Sequence, residues 1–434
     1  MKMLRRVLIV LGVVLALLLA VPALVSLDTW RPQVEQALAS RLGTKVVIGR
    51  LALSGLPYPR VMADTIAVGD NGELQARELV LAPDWLSLFS ATKVIRSIAI
   101  DGLGVRADAL GALGRLGGSG EASPSSTTAA PALRIDAIAL TNTRIGLSQT
   151  VIGPFDAAIA FDANAQFASA QAALQDGTLA LTAMPASGAY ALALTANNWT
   201  VPVGPALRFA ALDARGTLRS GVMTIDSLKA QAYGGTLDGA ARLSWDTRWR
   251  LSGTLDGKTL DVRELTLALS SQAPLAGKLD AQAKFDAAAD SAAALGRALR
   301  LDMPFAVTGG VLTGMDLKGI AQRIADTDAL GETRFDTLRG RLSVVNDTLT
   351  LADIAIRSGA LQADGKVTAT PERRLSGRVD VGVIVAGKLG VAAPLDVSGT
   401  LDAPRASLAT GAILERGVDF GKAAAQWARQ FLPR

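Results

Sequence analysis

The chain has no cysteine and no histidine among its 434 residues. The first absence excludes disulfides, thiolate nucleophiles and cysteine-ligated metals, and it leaves folding independent of redox compartment. The second excludes a Ser-His-Asp triad, an imidazole base and the common zinc sites. Catalysis by carboxylates alone remains open, but no phosphate-binding loop, dinucleotide fingerprint, HExxH motif or GxSxG motif with a base occurs. We therefore predict a protein that is not an enzyme, with no catalytic residues, cofactor or metal.

Aromatic residues are scarce, at 4% of a chain that is half hydrophobic. Alanine, leucine, glycine and valine carry the apolar content, and such side chains suit thin, repetitive β-structure better than a large interdigitated core. The formal net charge is +5, but the basic residues are scattered among acidic ones without a basic run. Nucleic-acid binding is therefore not predicted.

Charge is absent from Val7 to Leu27, a membrane-length run. A helix over these residues would be roughly 31 Å long at ~1.5 Å per residue, which matches a hydrocarbon core of ~30 Å. A basic tail, residues 1–6, precedes it, so the amino terminus is predicted to stay cytoplasmic while the rest is exported. The alternative is a signal peptide cleaved near Ala23. A retained anchor over residues 7–27 is favoured, because the apolar run continues past Ala23.

Residues 28–110 predict a short helix followed by β-structure. Asp28 and Thr29 can cap the start of the helix, Pro32 suits its first turn, and Gly43 supplies the positive φ of a helix end. Alternating apolar residues then follow, as a strand requires. The helix is interpreted either as a collar that orients the sheet over the bilayer or as an ordinary first helix of a domain.

Residues 111–132 are rich in Gly, Ser, Pro, Thr and Ala, which predicts a flexible loop. This loop is predicted to separate the amino-terminal β unit from a larger second part. A weak echo of sequence links the segments that start at Val94 and Leu133 on its two sides.

Residues 133–408 predict repeating β-structure. The stretch from Arg215 is echoed by the stretch from Arg339, and each consists of alternating strands joined by Gly or Asp-Gly turns. Repetition of such half-apolar meanders indicates an antiparallel sheet that grows as each unit buries the edge of the next.

The clearest strand of the second repeat is predicted over residues 348–357. A bulge at Ala352 or Asp353 would bring its two apolar pairs onto one face. The residues of that face are Leu349, Leu351, Ile354 and Ile356. Such a face can hold acyl chains, since each buried CH2 contributes ~0.8 kcal/mol. From the residues alone, the core of a closed sandwich or barrel is the favoured interpretation of the same face.

Two helices are predicted near the carboxy terminus. Residues 314–326 place Leu317, Ile320 and Ile324 on one face. Residues 409–434 predict an amphipathic helix that caps the open end of the sheet or contacts a membrane or partner protein. Its apolar stripe consists of Ile413, Phe420, Ala424, Trp427 and Phe431.

The order of these pieces resembles the AsmA family of envelope proteins. The likeness lies in the membrane-length segment, in Trp30-Arg31-Pro32 and Gly43, and in the strand-rich stretch VVIGRLALSG after them. The segments TGGVLTGMDLKGIAQRI and PLDVSGTLDAPRASL carry it further along the chain. The resemblance implies a single-pass bacterial inner-membrane protein whose bulk is periplasmic, with an extended antiparallel β-groove related to bridge-type lipid-transfer proteins.

The resemblance also favours the groove over the closed core. It implies a protein that binds and conducts phospholipid acyl chains and supports outer-membrane lipid homeostasis. The expected partners are phospholipid, the inner membrane through residues 7–27, and envelope proteins. The alternative is a non-enzymatic scaffold or assembly factor for outer-membrane proteins.

Overall fold

The structure is a computed structural model, and it describes eleven stretches of the chain. These are residues 27–54, 60–70, 72–106, 132–146, 150–202, 204–269, 273–322, 331–359, 361–385, 388–401 and 403–409. The predicted anchor (except Leu27), nearly all of the predicted loop and nearly all of the carboxy-terminal helix, with its stripe, lie outside these residues. Within the described stretches, no helix combines the length and the apolar character needed to cross a membrane.

The described residues form mainly strands, as predicted. In order they are β1 Val46–Ser54, β2 Arg60–Val68, β3 Leu74–Pro83, β4 Thr92–Asp101, β5 Gly104–Arg106, β6 Ala132–Ile135, β7 Ala137–Gly146, β8 Val151–Phe161, β9 Phe167–Leu174, β10 Leu179–Ala186, β11 Ala189–Thr200, β12 Arg208–Arg219, β13 Val222–Ala232, β14 Gly235–Ser244, β15 Trp249–Asp261, β16 Leu275–Ala289, β17 Arg300–Thr313, β18 Glu332–Val345, β19 Thr348–Arg357, β20 Leu361–Ala369, β21 Leu375–Val385, β22 Lys388–Gly399 and β23 Pro404–Leu408. The α-helices are α1 Arg31–Leu42, α2 Val262–Leu269 and α3 Leu317–Gln322, and the 3₁₀ helices are Leu27–Trp30, Trp85–Phe89 and Ala292–Ala294. The chain divides into two compact units, Met1–Leu194 and Thr195–Arg434.

In the first unit, helix α1 ends as the sequence predicts but begins differently. Gly43 has a φ of 66°, and its N–H donates to the Ala39 carbonyl over 2.9 Å. The N-cap residue is Trp30, which makes no side-chain cap hydrogen bond. The predicted capping role of Asp28 is therefore wrong, because its Oδ1 instead accepts from the Leu51 N–H of β1, over 2.9 Å. Thr29, the other predicted cap, lies one residue ahead of Trp30 in the preceding 3₁₀ helix.

Side chains of α1 bind the backbone of the first strand. Glu35 Oε1 accepts from the Ile48 N–H over 2.7 Å, and Arg31 Nη1 donates to the Gly49 carbonyl over 2.8 Å. β1 pairs with β2 in an antiparallel ladder from Val46 to Ser54. The helix thus satisfies backbone groups of an end strand, which is one way proteins protect a sheet edge.

The sheet of the first unit is not antiparallel throughout, in contrast to the predicted meander. β4 runs parallel to β6 and β7, and β5 runs parallel to β7. Val94 pairs with Arg134, and Ile98 pairs with Ile138. The two segments linked by the weak sequence echo are therefore parallel neighbours. Both flanks of the predicted loop belong to this unit.

The second unit is a run of antiparallel strands in which β12 to β23 pair in chain order. The two predicted repeats have the same strand order, β12 to β15 and β18 to β21. They also share their register shifts. The first shift in each repeat directly follows the Arg of the Arg-Gly pair. The second shift lies between Ile225 and Leu228 in the first repeat and between Leu351 and Ile354 in the second. The two repeats thus also share the positions of their β-bulges, which change the direction of the side chains that follow.

The main core of the second unit lies where two short helices cover the sheet. Leu317 and Ile320 of α3 and Val262 of α2 are buried there among residues of β15 to β23. α3 contacts β18 and also β21, β22 and β23. Strands so far apart reach one narrow helix only if the sheet curves around it.

Candidate functional site

The apolar face of the second unit carries a continuous band of side chains across successive strands. We call it the open row: Gly216, Ile225, Ala241, Gly253, Phe285, Leu301, Val344, Leu349, Ala369 and Leu375. Each is the direct cross-strand partner of the next, from β12 to β21. All except the buried Ala369 are partly exposed. At ~4.8 Å between strands, the open row extends roughly 43 Å without a polar side chain.

A second band crosses the same face nearer the two helices. We call it the closed row: Leu279, Val307, Leu338, Ile356, Ala363, Val381 and Ala393. Its members are cross-strand partners from β16 to β22, and all are buried. They belong to the core that contains α2 and α3 residues. The same apolar face is therefore covered by protein along one band and accessible along the other.

Three phenylalanine rings on this face each cover a glycine on the neighbouring strand. Phe285 faces Gly253, Phe305 faces Gly340, and Phe335 faces Gly310, each as a direct cross-strand pair. A Cβ on any of these glycines would meet the ring opposite. Phe285 belongs to the open row, so its ring contributes an aromatic surface to the accessible band.

The opposite face of the sheet is charged. Arg341 pairs with Asp302 across β17 and β18 at 3.0 Å, and Arg378 pairs with Asp396 across β21 and β22 at 2.9 Å. Such exposed pairs contribute ~0–1 kcal/mol each, so they affect solubility more than stability. Among the described residues, no group of three or more carboxylates is placed to hold a metal ion.

The four residues predicted from the sequence share one face, as a bulge would require. The register of β19 shifts between Leu351 and Ile354, and Asp353 has a φ of 52°. Their environments differ, however. Ile354 and Ile356 are only 6% and 5% exposed and belong to the core, whereas Leu349 and Leu351 are half-buried.

Sequence reasoning missed most of the open row. Ile225, Leu301 and Val344 were not among the candidates, although each lies in an alternating strand. The internal repeat could have identified Ile225. The offset that relates Thr224 to Thr350 also relates Ile225 to Leu351, which was one of the four predicted residues. Leu301 and Phe285 could not be found this way, since only the strand register brings them together. The apolar stripe predicted at Ile413, Phe420, Trp427 and Phe431 lies outside the described residues.

Comparison with known proteins finds a family that part of the chain resembles. Residues 192–354, from β11 into β19, match the model of the AsmA family. The predicted AsmA resemblance is confirmed over this segment. No curated protein and no solved structure matches the chain. This matching stretch, which we call the AsmA segment, contains the open row from Gly216 to Leu349.

Proposed function

We propose that the protein binds phospholipid acyl chains along the open row and conducts them across the sheet, supporting outer-membrane lipid homeostasis. The observation that carries the proposal is an apolar row over ten strands in which every member except Ala369 is partly exposed. Each CH2 buried against it contributes ~0.8 kcal/mol. Successive positions offer similar apolar contact, so no single position traps the chain.

In this proposal the protein is an envelope component anchored in the inner membrane by residues 7–27, with its bulk in the periplasm. It acts by binding and not by covalent chemistry. The charged outer face keeps the sheet soluble while the apolar face holds lipid. The AsmA segment supports the envelope setting, and the anchor follows from the uncharged run and the basic tail before it.

Photocrosslinking from matched positions tests the proposal. A photoreactive amino acid replaces Leu349, in the open row, or its neighbour Thr350, which points to the opposite face. We expect phospholipid adducts from position 349 and few from position 350, together with phospholipid that co-purifies with the chain. Protein adducts without lipid from position 349 would instead favour the assembly-factor alternative.

A pair of charge substitutions separates an open track from a closed core. Leu349→Asp should leave the melting transition largely intact and abolish lipid adducts at a photoreactive Leu301, because it places a charge in an accessible row. Ile356→Asp should lower stability by several kcal/mol, because it buries an unpaired carboxylate among core residues. If both variants unfold alike, the open row is part of the core and the proposal fails.

A further inference from the structure

The connection between β3 and β4 exposes two large apolar side chains. Leu86 and Phe89 lie on the 3₁₀ helix Trp85–Phe89 and are 81% and 93% exposed. They are the most exposed large hydrophobic side chains in the part of the chain that the structure describes. Water around two such groups is unfavourable, so their exposure calls for an apolar partner.

The backbone of this connection is fixed and not loosely extended. Ser87 is buried, its hydroxyl donates to the Asp84 carbonyl over 2.6 Å, and it accepts from the Val94 N–H over 2.8 Å. The Ser90 hydroxyl donates to the Thr92 carbonyl over 2.6 Å. A turn whose backbone is already fixed loses little backbone freedom on binding.

This turn lies at one end of the sheet, which we call the near end. The antiparallel ladders place Ser54 opposite Arg60 and Val61 opposite Leu81, so β1 ends, β2 begins and β3 ends there. The described chain also begins toward this end. Asp28 is level with Leu51, whereas Glu35 is level with Ile48, so α1 runs away from the near end as it proceeds.

Leu27, the last residue of the predicted anchor, therefore lies toward the end of the first unit that carries Leu86 and Phe89. Trp30, 58% exposed, starts α1 on the same side, and aromatic side chains of this kind favour the membrane interface. Arg60 is exposed at the start of β2, at the same end of the sheet, and its charge suits an anionic headgroup layer.

We propose that Leu86 and Phe89 insert into the surface of the bilayer that holds the anchor, giving the first unit a second membrane contact. The contact would fix the tilt of the sheet at the membrane, which a single spanning helix leaves free to rotate. The inference rests on the anchor proposed above and is independent of lipid binding in the open row.

Single cysteines can test the contact, because the chain has none of its own. The full chain is reconstituted in phosphatidylethanolamine and phosphatidylglycerol vesicles, with an environment-sensitive dye on Leu86→Cys or Phe89→Cys. The matched control is Val151→Cys. Val151 is also exposed, at 60%, but lies at the opposite end of the sheet, because it pairs with Gly146, which lies beside Arg106.

We expect a quencher carried on lipid acyl chains to quench the dye at positions 86 and 89 several-fold more than at position 151. Adding Phe89→Asp to the Leu86→Cys chain should leave the melting transition unchanged, because the side chain is exposed, and should lower the insertion equilibrium by about 30-fold.

Equal quenching at all three positions in vesicle-bound chain overturns this inference alone. Chain that does not float with the vesicles overturns the anchor and the inference together. A dye at position 89 that is shielded only by an added envelope protein fraction also overturns it, since the turn would then be a protein-docking site. In each of these cases, lipid adducts from Leu349 still report separately on the open row.

Discussion

At the scale of single residues, the apolar face depends on pairs that are distant in sequence. Phe335 packs across Gly310 and Phe305 across Gly340, so each ring occupies the space that a glycine leaves free. A glycine in a strand weakens it, and a cross-strand aromatic ring compensates by covering the exposed backbone. The open row therefore remains apolar where it contains no large side chain of its own, as at Gly253.

Asp101 at the end of β4 is the residue where pH should matter. Hydrogen bonds from Asn142 and Thr141 hold the pKa of its carboxyl below the usual value, with further help from the Arg77 guanidinium at 3.0 Å and the Gly102 N–H. These contacts tie β4 to its parallel neighbour β7 and to β3.

The lowered pKa predicts a loss of stability in acid. The carboxylate stabilises the fold fully above the ordinary Asp pKa of ~3.9, and this contribution is lost as pH falls through the lowered folded value. Asp101→Asn should therefore reduce stability at neutral pH and flatten the decline below pH ~4. Urea unfolding at pH 7 and pH 3 measures both effects.

The control for this prediction is Asp70→Asn, an exposed carboxylate in the turn between β2 and β3. It removes the same charge from an exposed turn, so it measures the effect of the Asp→Asn change by itself. If Asp101→Asn and Asp70→Asn give the same acid slope, the hydrogen bonds to Asp101 do not favour its charged form.

At the scale of elements, α1 acts as a cover for the first strand. Glu35→Ala would leave the Ile48 N–H without its acceptor, at a cost of roughly 1–3 kcal/mol. We expect faster hydrogen exchange at the Ile48 amide and self-association of the uncovered edge, visible by light scattering. Glu35→Gln keeps an acceptor oxygen and should lose less.

Gln36→Ala provides the comparison on the same helix, since its side chain is exposed. It should leave both the exchange rate and the scattering close to those of the parent chain. An Ile48 amide that exchanges equally fast in the Glu35→Ala and Gln36→Ala chains would show that α1 does not protect the edge.

Local patterns predicted local elements well. The strand predicted over residues 348–357 agrees with β19, and Gly43 ends α1 as its position suggests. The mainly β fold and the AsmA resemblance also followed from order and alternation along the chain. These features depend on neighbours within a few residues, which is the range that periodicity reports.

Features that depend on residues distant in the sequence could not be predicted from local sequence patterns. Asp28 was predicted to cap the helix, but its carboxylate accepts a hydrogen bond from the N–H of Leu51, a strand residue 23 positions away. The apolar stripe of β19 looked uniform, yet α3 and the strands around it bury Ile354 and Ile356 while Leu349 stays accessible. Nothing in the alternation of β4 and β7 distinguishes a parallel neighbour from an antiparallel one.

At the scale of the whole molecule, the parallel pairing constrains the path of the chain. β5 ends at Arg106, level with Gly146, whereas β6 begins at Ala132, level with Thr92. β6 and β7 run from Ala132 to Gly146, so the two points are roughly 46 Å apart at ~3.3 Å per residue. Residues 107–131 must therefore connect opposite ends of the sheet, which a tight hairpin cannot do.

This geometry predicts a minimum length for the segment. An extended chain covers at most ~3.3–3.6 Å per residue, so about 13 residues are needed to span the sheet. Deleting residues 112–119 leaves enough chain, and stability should change by less than ~1 kcal/mol, because loop-closure entropy varies slowly with length. Deleting residues 109–126 leaves too little, so the β4–β7 ladder should separate, with fast hydrogen exchange at the amides of β7. Refilling the longer deletion with an equally long Gly/Ser linker should restore protection, because the ladder requires length and not this sequence. Protection that survives the longer deletion would mean that β4 and β7 are not parallel neighbours in the folded chain.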